Sequence, residues 1–385
     1  MINMNPLLMI PGPVTLHQRV LSAMAKPMIN HRSKEFAEIY DECVSILKDV
    51  FRTKNDVFIL SGSGTAGMEA AVSNVVDGND VLTIVNGKFG ERFKEIADLY
   101  GNTIPVEYRW GNSIELEDVE VALESGTKVV TMVHNETSTG ILNPAKEVAA
   151  LARKYDALFV MDGITSIGGM DVPIDKWGVD IAIAGSQKCM AAPPGLVAVS
   201  VSERAWEHIK DARAPYYLDL KEYKKYANKE VTQTPYTPAI PLFFALHEAL
   251  RMLREEGIQE IINRHRRYAE AVRNAIRSMR LELFPCLNDI SEYSNTVTAV
   301  NMPEGITDKQ LRDGVKGKGV IIAGGQGYLA GKIFRIGNMG AISEKEILIT
   351  IRVLESVLAE HGLETKGMGA TAAEQILKSW SYLHP

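Results

Sequence analysis

The stretch "VFILSGSGTAGMEA", from Val57 to Ala70, joins an apolar run to a glycine-rich turn and then to a helix-forming segment. Gly62, Gly64 and Gly67 spell G-x-G-x-x-G, the spacing of a dinucleotide-binding turn. Such a turn at a helix N-terminus aims backbone N–H groups and the positive end of the helix dipole at an anion. Ser63 and Thr65 add hydroxyls. The same glycines also suit a tight turn that needs only backbone freedom. A dinucleotide further requires an acid at the end of the second strand, to hold the ribose hydroxyls. That strand, "VLTIV" (81–85), runs into Asn86, Gly87 and Lys88, and the nearby Asp80 stands before it. Without a ribose partner, a smaller phosphate ligand fits the turn better.

Outward from this turn the pattern repeats. "VFIL" (57–60), "VLTIV", "KVVTMV" (128–133), "ALFVMD" (157–162), "DIAIAG" (180–185) and "LVAVSV" (196–201) are continuous apolar runs. Helical patterns over Thr65–Val76, Lys88–Tyr100 and Pro144–Tyr155 fall between several of them. The alternation predicts an α/β fold with a mainly parallel sheet, and uninterrupted apolar strands predict helices on both faces. The rhythm stops near Ser202, and "YYLDLKEYKKYANKEVTQTPYTPA" shows no period, so it reads as mostly loop. A helical stretch from Pro241 to Arg280, broken at Gly257, follows. Short strands in "NTVTAVNM" and "VIIAGG" flank a helix near Asp308–Lys316, and helices are expected over Ser343–Glu360 and around Ala373–Tyr382. This second alternation predicts a smaller α/β domain.

Composition narrows the function classes. A chain of 385 residues, 46% of them hydrophobic, can bury a sizeable core and more than one domain. A net charge of -6 and a pI near 5.8 argue against nucleic-acid binding. Three scattered cysteines, Cys43, Cys189 and Cys286, form neither a disulfide framework nor a zinc set, and they fit a reducing compartment. The opening "MINMNPLLMIPGPVT" lacks a basic start, and Pro11 and Pro13 break its apolar run. No stretch approaches the ~18 uncharged apolar residues of a membrane span. A cytoplasmic protein with no membrane or nucleic-acid partner is expected.

Two residues at strand ends carry chemistry. Lys188 lies in the turn of "DIAIAGSQKCMAAPPGLVAVSV" between two apolar runs, with few charges nearby. It is either a solvated surface amine or, once desolvated, an amine able to attack carbonyls. Asp162 ends the run "ALFVMD" and can cap the next helix or pair with a protonated ring nitrogen. Ligands of open α/β sheets bind beyond the strand carboxyl ends, so both residues can meet the glycine turn in one crevice. Phosphate on the turn, ring nitrogen on the aspartate and aldehyde on the lysine together describe a pyridoxal phosphate site.

The order of "PGPVT", "HRSKEF", "SGSGTAGMEAAVSN", "NGKFGERF", "VHNETSTG", "MDGITSIGG", "GSQKCMAAPPGL", "TPYTPA", "EGIQEIINRHRRYAEAVR" and "FRIGNMG" resembles the class V aminotransferases, in particular the alanine–glyoxylate / serine–pyruvate aminotransferase family. The likeness spans roughly Leu8 to Gly362. It implies a pyridoxal phosphate fold-type I homodimer with shared active sites, its large domain built on a mainly parallel seven-stranded sheet beside a smaller C-terminal α/β domain. The implied division is an arm over residues 1–20, a large domain over 21–256, a small domain over 257–365 and a tail over 366–385.

By that resemblance, Lys188 joins the cofactor aldehyde and serves as the base, and Asp162 faces the ring nitrogen. Ser63, Gly64, Thr65 and Gln187 bind beside the phosphate and the lysine. Thr137 hydrogen-bonds the cofactor and borders the substrate, and Phe89 stands where the family stacks an aromatic, often tryptophan, on the ring. Thr234 and Thr237 match a segment that reaches the neighbouring subunit's phosphate, the first position being variable. Arg335 anchors the substrate carboxylate, with Gly12 and Tyr328 near the substrate. His31 and His134 are expected to be structural, since the lysine is the base. No metal is expected.

The implied reaction is ping-pong transfer between a small amino acid (alanine, serine) and a small 2-oxo acid (glyoxylate, pyruvate). Aspartate and 2-aminoethylphosphonate aminotransferases and cysteine desulfurases are neighbouring readings. The last needs a nucleophilic cysteine on a loop near the substrate. A nucleotide-dependent oxidoreductase survives only through the glycine motif.

Overall fold

The computed structural model describes residues 6–209 and 213–383. The first five residues of the expected arm and the last two of the expected tail lie outside the described residues. Seven strands form the principal sheet, in the order Asp56–Ser61, Leu196–Val201, Ile181–Gly185, Leu158–Asp162, Val129–Val133, Asp80–Val85 and Asn102–Glu107. Leu196–Val201 runs antiparallel to both its neighbours, and the five strands beyond it are mutually parallel.

Side chains alternate along each strand, so both sheet faces are apolar and both are covered. Val57 and Ile59 enter one hydrophobic cluster, Phe58 and Leu60 the other. Helix Gly64–Ser73 lies directly on the sheet at Gly67, the third glycine of the G-x-G-x-x-G motif. A Cβ on Gly67 would stand 2.5 Å from Val197 Cγ2 and 2.7 Å from Ile183 Cγ2. Gly67 therefore serves helix–sheet packing.

A second sheet has the order Leu7–Met9, Val320–Gly324, Ile333–Gly337 and Val297–Asn301. Helices Ile258–Ser278, Glu344–Glu360 and Met368–Leu383 share a third core with it. Its first strand comes from the start of the chain and pairs in parallel, Leu7 with Val320 and Met9 with Ile322. Gly257, with φ 91°, separates helices Ile240–Glu256 and Ile258–Ser278 at the expected break.

The structure differs from expectation in several places. The segment read as loop holds a 3-10 turn, Tyr216–Leu218, and a helix, Leu220–Ala227. Asp219 caps that helix by accepting the Lys221 N–H at 2.9 Å, while Leu220 and Tyr223 bury one side of it. Asn102–Glu107 is an edge strand with a half-exposed face, which its mixed polar sequence hid. Helix Leu116–Leu123 and strand Ile333–Gly337, which overlaps "FRIGNMG", were also not foreseen. Among the described residues no helix is long and apolar enough to cross a membrane.

Candidate active site

A cavity of about 210 Å³ opens at the carboxyl ends of strands Asp56–Ser61, Leu158–Asp162 and Ile181–Gly185. Eight of the residues expected to act line it: Ser63, Gly64, Thr65, Phe89, Thr137, Asp162, Gln187 and Lys188. The turn residues are placed by the start of helix Gly64–Ser73. Ser63 is its N-cap residue and makes no side-chain capping bond. The first N–H groups of a helix have no intrahelical acceptor, so this end presents donors to the cavity. Asp80 opens its strand at the opposite end, away from the turn.

Asp162 is the last residue of a fully buried strand, and its Oδ1 accepts the Ile164 N–H at 2.8 Å. Burial pushes its carboxyl up to about 7; the Ile164 hydrogen bond and the charges of Lys188 and Arg92 oppose this, and Glu136 adds to it. Burial likewise pulls the Lys188 amine down to about 8. Its Nζ donates to the Pro11 carbonyl of the N-terminal segment. Beside it, the Gln187 side-chain oxygen is buried without a hydrogen-bond partner, as is that of Asn135, which also lines the cavity.

Arg335 is 5% exposed at the centre of strand Ile333–Gly337. Its Nε and Nη2 donate to the Gly324 carbonyl at 2.9 and 2.7 Å, and Nη1 donates to the Thr137 carbonyl at 2.8 Å. Among the described residues no carboxylate lies within ion-pair distance of it. Burial lowers its pKa to about 10, so it stays charged at neutral pH. Next to Thr137, the buried Glu136 accepts from the Phe89, Gly90 and Ser138 N–H groups at 2.9, 3.0 and 3.0 Å. This carboxylate anchors the N-terminus of helix Lys88–Ala97 and so sets Phe89 at the cavity wall.

Arg92 also lines the cavity and was missed from the sequence. Its guanidinium lies 4.8 Å from the Phe89 ring centroid, and its Nη1 reaches Thr65 Oγ1 at 3.4 Å. The signal was the i, i+3 spacing from Phe89, which puts both on one helix face. Thr165 and Ile164 are further wall residues that sequence reasoning did not single out.

Other expected residues lie elsewhere. Gly12 sits against Lys188 and does not line the cavity. Thr234 and Thr237 border a separate crevice with Ser61 and Tyr217. The Thr234 hydroxyl is buried and donates to the Tyr236 carbonyl at 2.7 Å, whereas Thr237 is exposed. Arg32 holds this segment by donating to the Thr234 carbonyl at 2.9 Å and to Gln233 Oε1 at 2.7 Å. Tyr328 is 47% exposed, and its hydroxyl accepts the Trp110 N–H at 2.8 Å. His134 Nδ1 sits 3.0 Å from Ser166 Oγ, and burial drops its pKa to about 3, so it is neutral. Neither histidine lines the cavity. None of the three cysteines does, and burial pushes the Cys189 thiol up to about 12.

These residues fit pyridoxal phosphate. The helix start with Thr65 and Arg92 suits a phosphate, buried Asp162 suits a protonated ring nitrogen, and the Lys188 amine suits an aldehyde. The partnerless oxygens of Gln187 and Asn135 are acceptors that an occupant of the cavity can satisfy.

Comparison with known proteins agrees. Residues 15–336 match the family model "Aminotransferase class-V". The chain is 47% identical to an uncharacterized aminotransferase of Methanocaldococcus jannaschii, over 96% of this chain and 97% of the relative. It is 40% identical to a protein of Synechococcus named soluble hydrogenase, small subunit, over 97% and 98%. Among the described residues no group of three or more His, Cys, Asp or Glu is placed to hold a metal ion. A serine–glyoxylate aminotransferase of Methylorubrum extorquens is 34% identical over 96% of both chains. The crystal structure of ureidoglycine–glyoxylate aminotransferase from Bacillus subtilis superposes with a TM-score of 0.92 at 34% identity, covering 98% of this chain and 99% of that one. With a turn, an aspartate and a lysine gathered at three strand ends, and a family match over most of its length, the chain belongs to the class-V aminotransferases.

Proposed function

We propose that the enzyme transfers an amino group between a small amino acid, such as alanine or serine, and a small 2-oxo acid, such as glyoxylate or pyruvate, in two half-reactions at one site. The observation that carries this is Arg335: a buried guanidinium, held by two carbonyls and with no carboxylate at ion-pair distance among the described residues, a few bonds from the cofactor cavity through Thr137. It is built to receive a carboxylate. Relatives named for serine and ureidoglycine with glyoxylate support a small acceptor.

When bound, pyridoxal phosphate supplies an aldehyde that joins amines and a ring that spreads negative charge. The chain's residues do the rest. Lys188, its amine partly neutral near pH 7 because burial lowers its pKa to about 8, binds the aldehyde carbon and carries the proton from the substrate α-carbon. Asp162 would hold a proton on the ring nitrogen of the bound cofactor, setting a further positive charge against its buried carboxylate. Ser63, Gly64, Thr65 and Arg92 would hold the phosphate, and Phe89 would pack against the ring. Gly12 lets the N-terminal segment approach.

The reading also includes a homodimer in the cytoplasm. Thr237, exposed on a segment braced by Arg32, is the side chain offered to the partner's phosphate. A larger unit before residue 257 and a smaller one after it belong to the same reading. Borohydride reduction of the yellow enzyme should fix the cofactor on Lys188, and a coupled assay across amino donors and oxo acids should show alternate-substrate ping-pong kinetics. Full amino transfer by Lys188→Ala would sink the proposal.

A further inference from the structure

The contact between the N-terminal segment and Lys188 belongs to no step above. Lys188 Nζ donates to the Pro11 carbonyl, and three residues on, the Val14 N–H donates to the Gln187 carbonyl at 3.2 Å. The segment thus grips the lysine turn from both sides. Gly12 stands between the two bonds with φ 86°. A Cβ there would lie 2.6 Å from Lys188 Cδ and 2.8 Å from its Nζ, in the volume that the amine occupies. The segment is itself held from the other side. The Gly337 backbone leaves no room for a side chain because the Ile10 carbonyl is packed on it, and Leu7–Met9 is a strand of the second sheet.

The chemistry of amine exchange gives this contact a use. A lysine nitrogen doubly bonded to the cofactor carbon carries at most one hydrogen. When an incoming amine forms its own bond to that carbon, the bond to the lysine breaks, and the two hydrogens of the incoming amine pass to the lysine nitrogen. The freed amine has two N–H donors, or three once it takes a further proton, inside a buried site. A donor left unpaired there is costly.

We propose that the Pro11 carbonyl, reached across the gap left by Gly12, is the resting site of the Lys188 amine whenever that amine is not bonded to the cofactor. It is a positioning element: it holds the freed nitrogen in one place and stabilises release of the lysine. This rests on the reading of Lys188 as the cofactor-bonding lysine.

The test uses the full chain and Gly12→Ala, which drives the amine off Pro11; where Ala does not fold at this left-handed position, Gly12→Asn replaces it. In the cofactor-free chain, lysines are reductively methylated with 13C-formaldehyde, and the Lys188 signal is identified by its loss in Lys188→Ala. The Gly12 variant should move that signal. In the loaded enzyme, 2-methylalanine, which has no α-hydrogen, exchanges with the lysine and is followed by absorbance. Its apparent dissociation constant should rise about ten-fold or more in the variant, the loss of one charge-assisted hydrogen bond. Glycolate, which offers a carboxylate and no amine, should weaken far less than 2-methylalanine. An unmoved signal, an unchanged 2-methylalanine constant, or equal weakening of glycolate overturns the resting site while borohydride still traps cofactor on Lys188. Failure of trapping in the unaltered enzyme refutes the lysine reading itself.

Discussion

Replacing Arg335 with lysine keeps the charge and removes the fork. A guanidinium has five N–H donors. Three hydrogen bonds are already made, two to the Gly324 carbonyl and one to the Thr137 carbonyl. One N–H remains on each terminal nitrogen, the pair that grips a carboxylate through both oxygens. An ammonium cannot satisfy both carbonyls and both carboxylate oxygens. Losing one charge-assisted bond costs about 1.5–3 kcal/mol, or roughly 10–150-fold in binding. The substrate carboxylate keeps its charge throughout the reaction, so the loss should fall mainly on KM and leave kcat within a few-fold. Steady-state kinetics with alanine and glyoxylate would read this, with ethylamine, which lacks the carboxylate, as the control. An equal loss toward ethylamine, or an unchanged KM for alanine, would refute the anchoring argument.

Three further outcomes follow from the geometry. Burial raises the Asp162 carboxyl from 3.8 to about 7, so the folded cofactor-free chain binds more protons than the unfolded one between those values and loses stability as pH rises through that window. Asp162→Asn should flatten this dependence and gain about 2–4 kcal/mol above pH 7 in thermal unfolding of the cofactor-free chain, while losing cofactor affinity; an unaltered pH slope would contradict it. Thr234→Ala should cost about 1 kcal/mol of stability and leave cofactor binding alone, since its hydroxyl serves Tyr236, whereas Thr237→Ala should weaken cofactor binding about ten-fold by fluorescence titration. The reverse pattern would remove Thr237 from the partner's site. Gly67→Ala should destabilise by about 1–3 kcal/mol through overpacking against Val197 and Ile183, with phosphate affinity per folded molecule retained; loss of affinity without loss of stability would return Gly67 to the anion site.

The parts legible in the sequence were those whose signal is local. Buried parallel strands are continuous apolar runs, so Leu158–Asp162 and Ile181–Gly185 were visible, and with them the strand ends that carry Asp162 and Lys188. Arg335 was reached only through the resemblance of "FRIGNMG"; its neighbours Phe334 and Ile336 are fully buried. The edge strand Asn102–Glu107 is half wetted and holds Pro105, so it lacks that signal. Leu220–Ala227 is short, and its core contacts come from only one side. The Pro11 carbonyl is a backbone atom, and any residue has one. Its role arises from where the chain passes, which no side-chain pattern states.

The first strand carries a consequence for how the enzyme is made. Leu7 leaves the ribosome 313 residues ahead of its pairing partner Val320. Closing so long a loop is slow beside local helix formation. The principal sheet, complete by Val201, can therefore form while the start of the chain still has no partner. Only after Val320–Gly324 is in place does the segment from Ile10 to Val14 settle against Lys188. The lysine's surroundings are thus completed late in synthesis, and a chain truncated before residue 320 would fold its main sheet around an unfinished site.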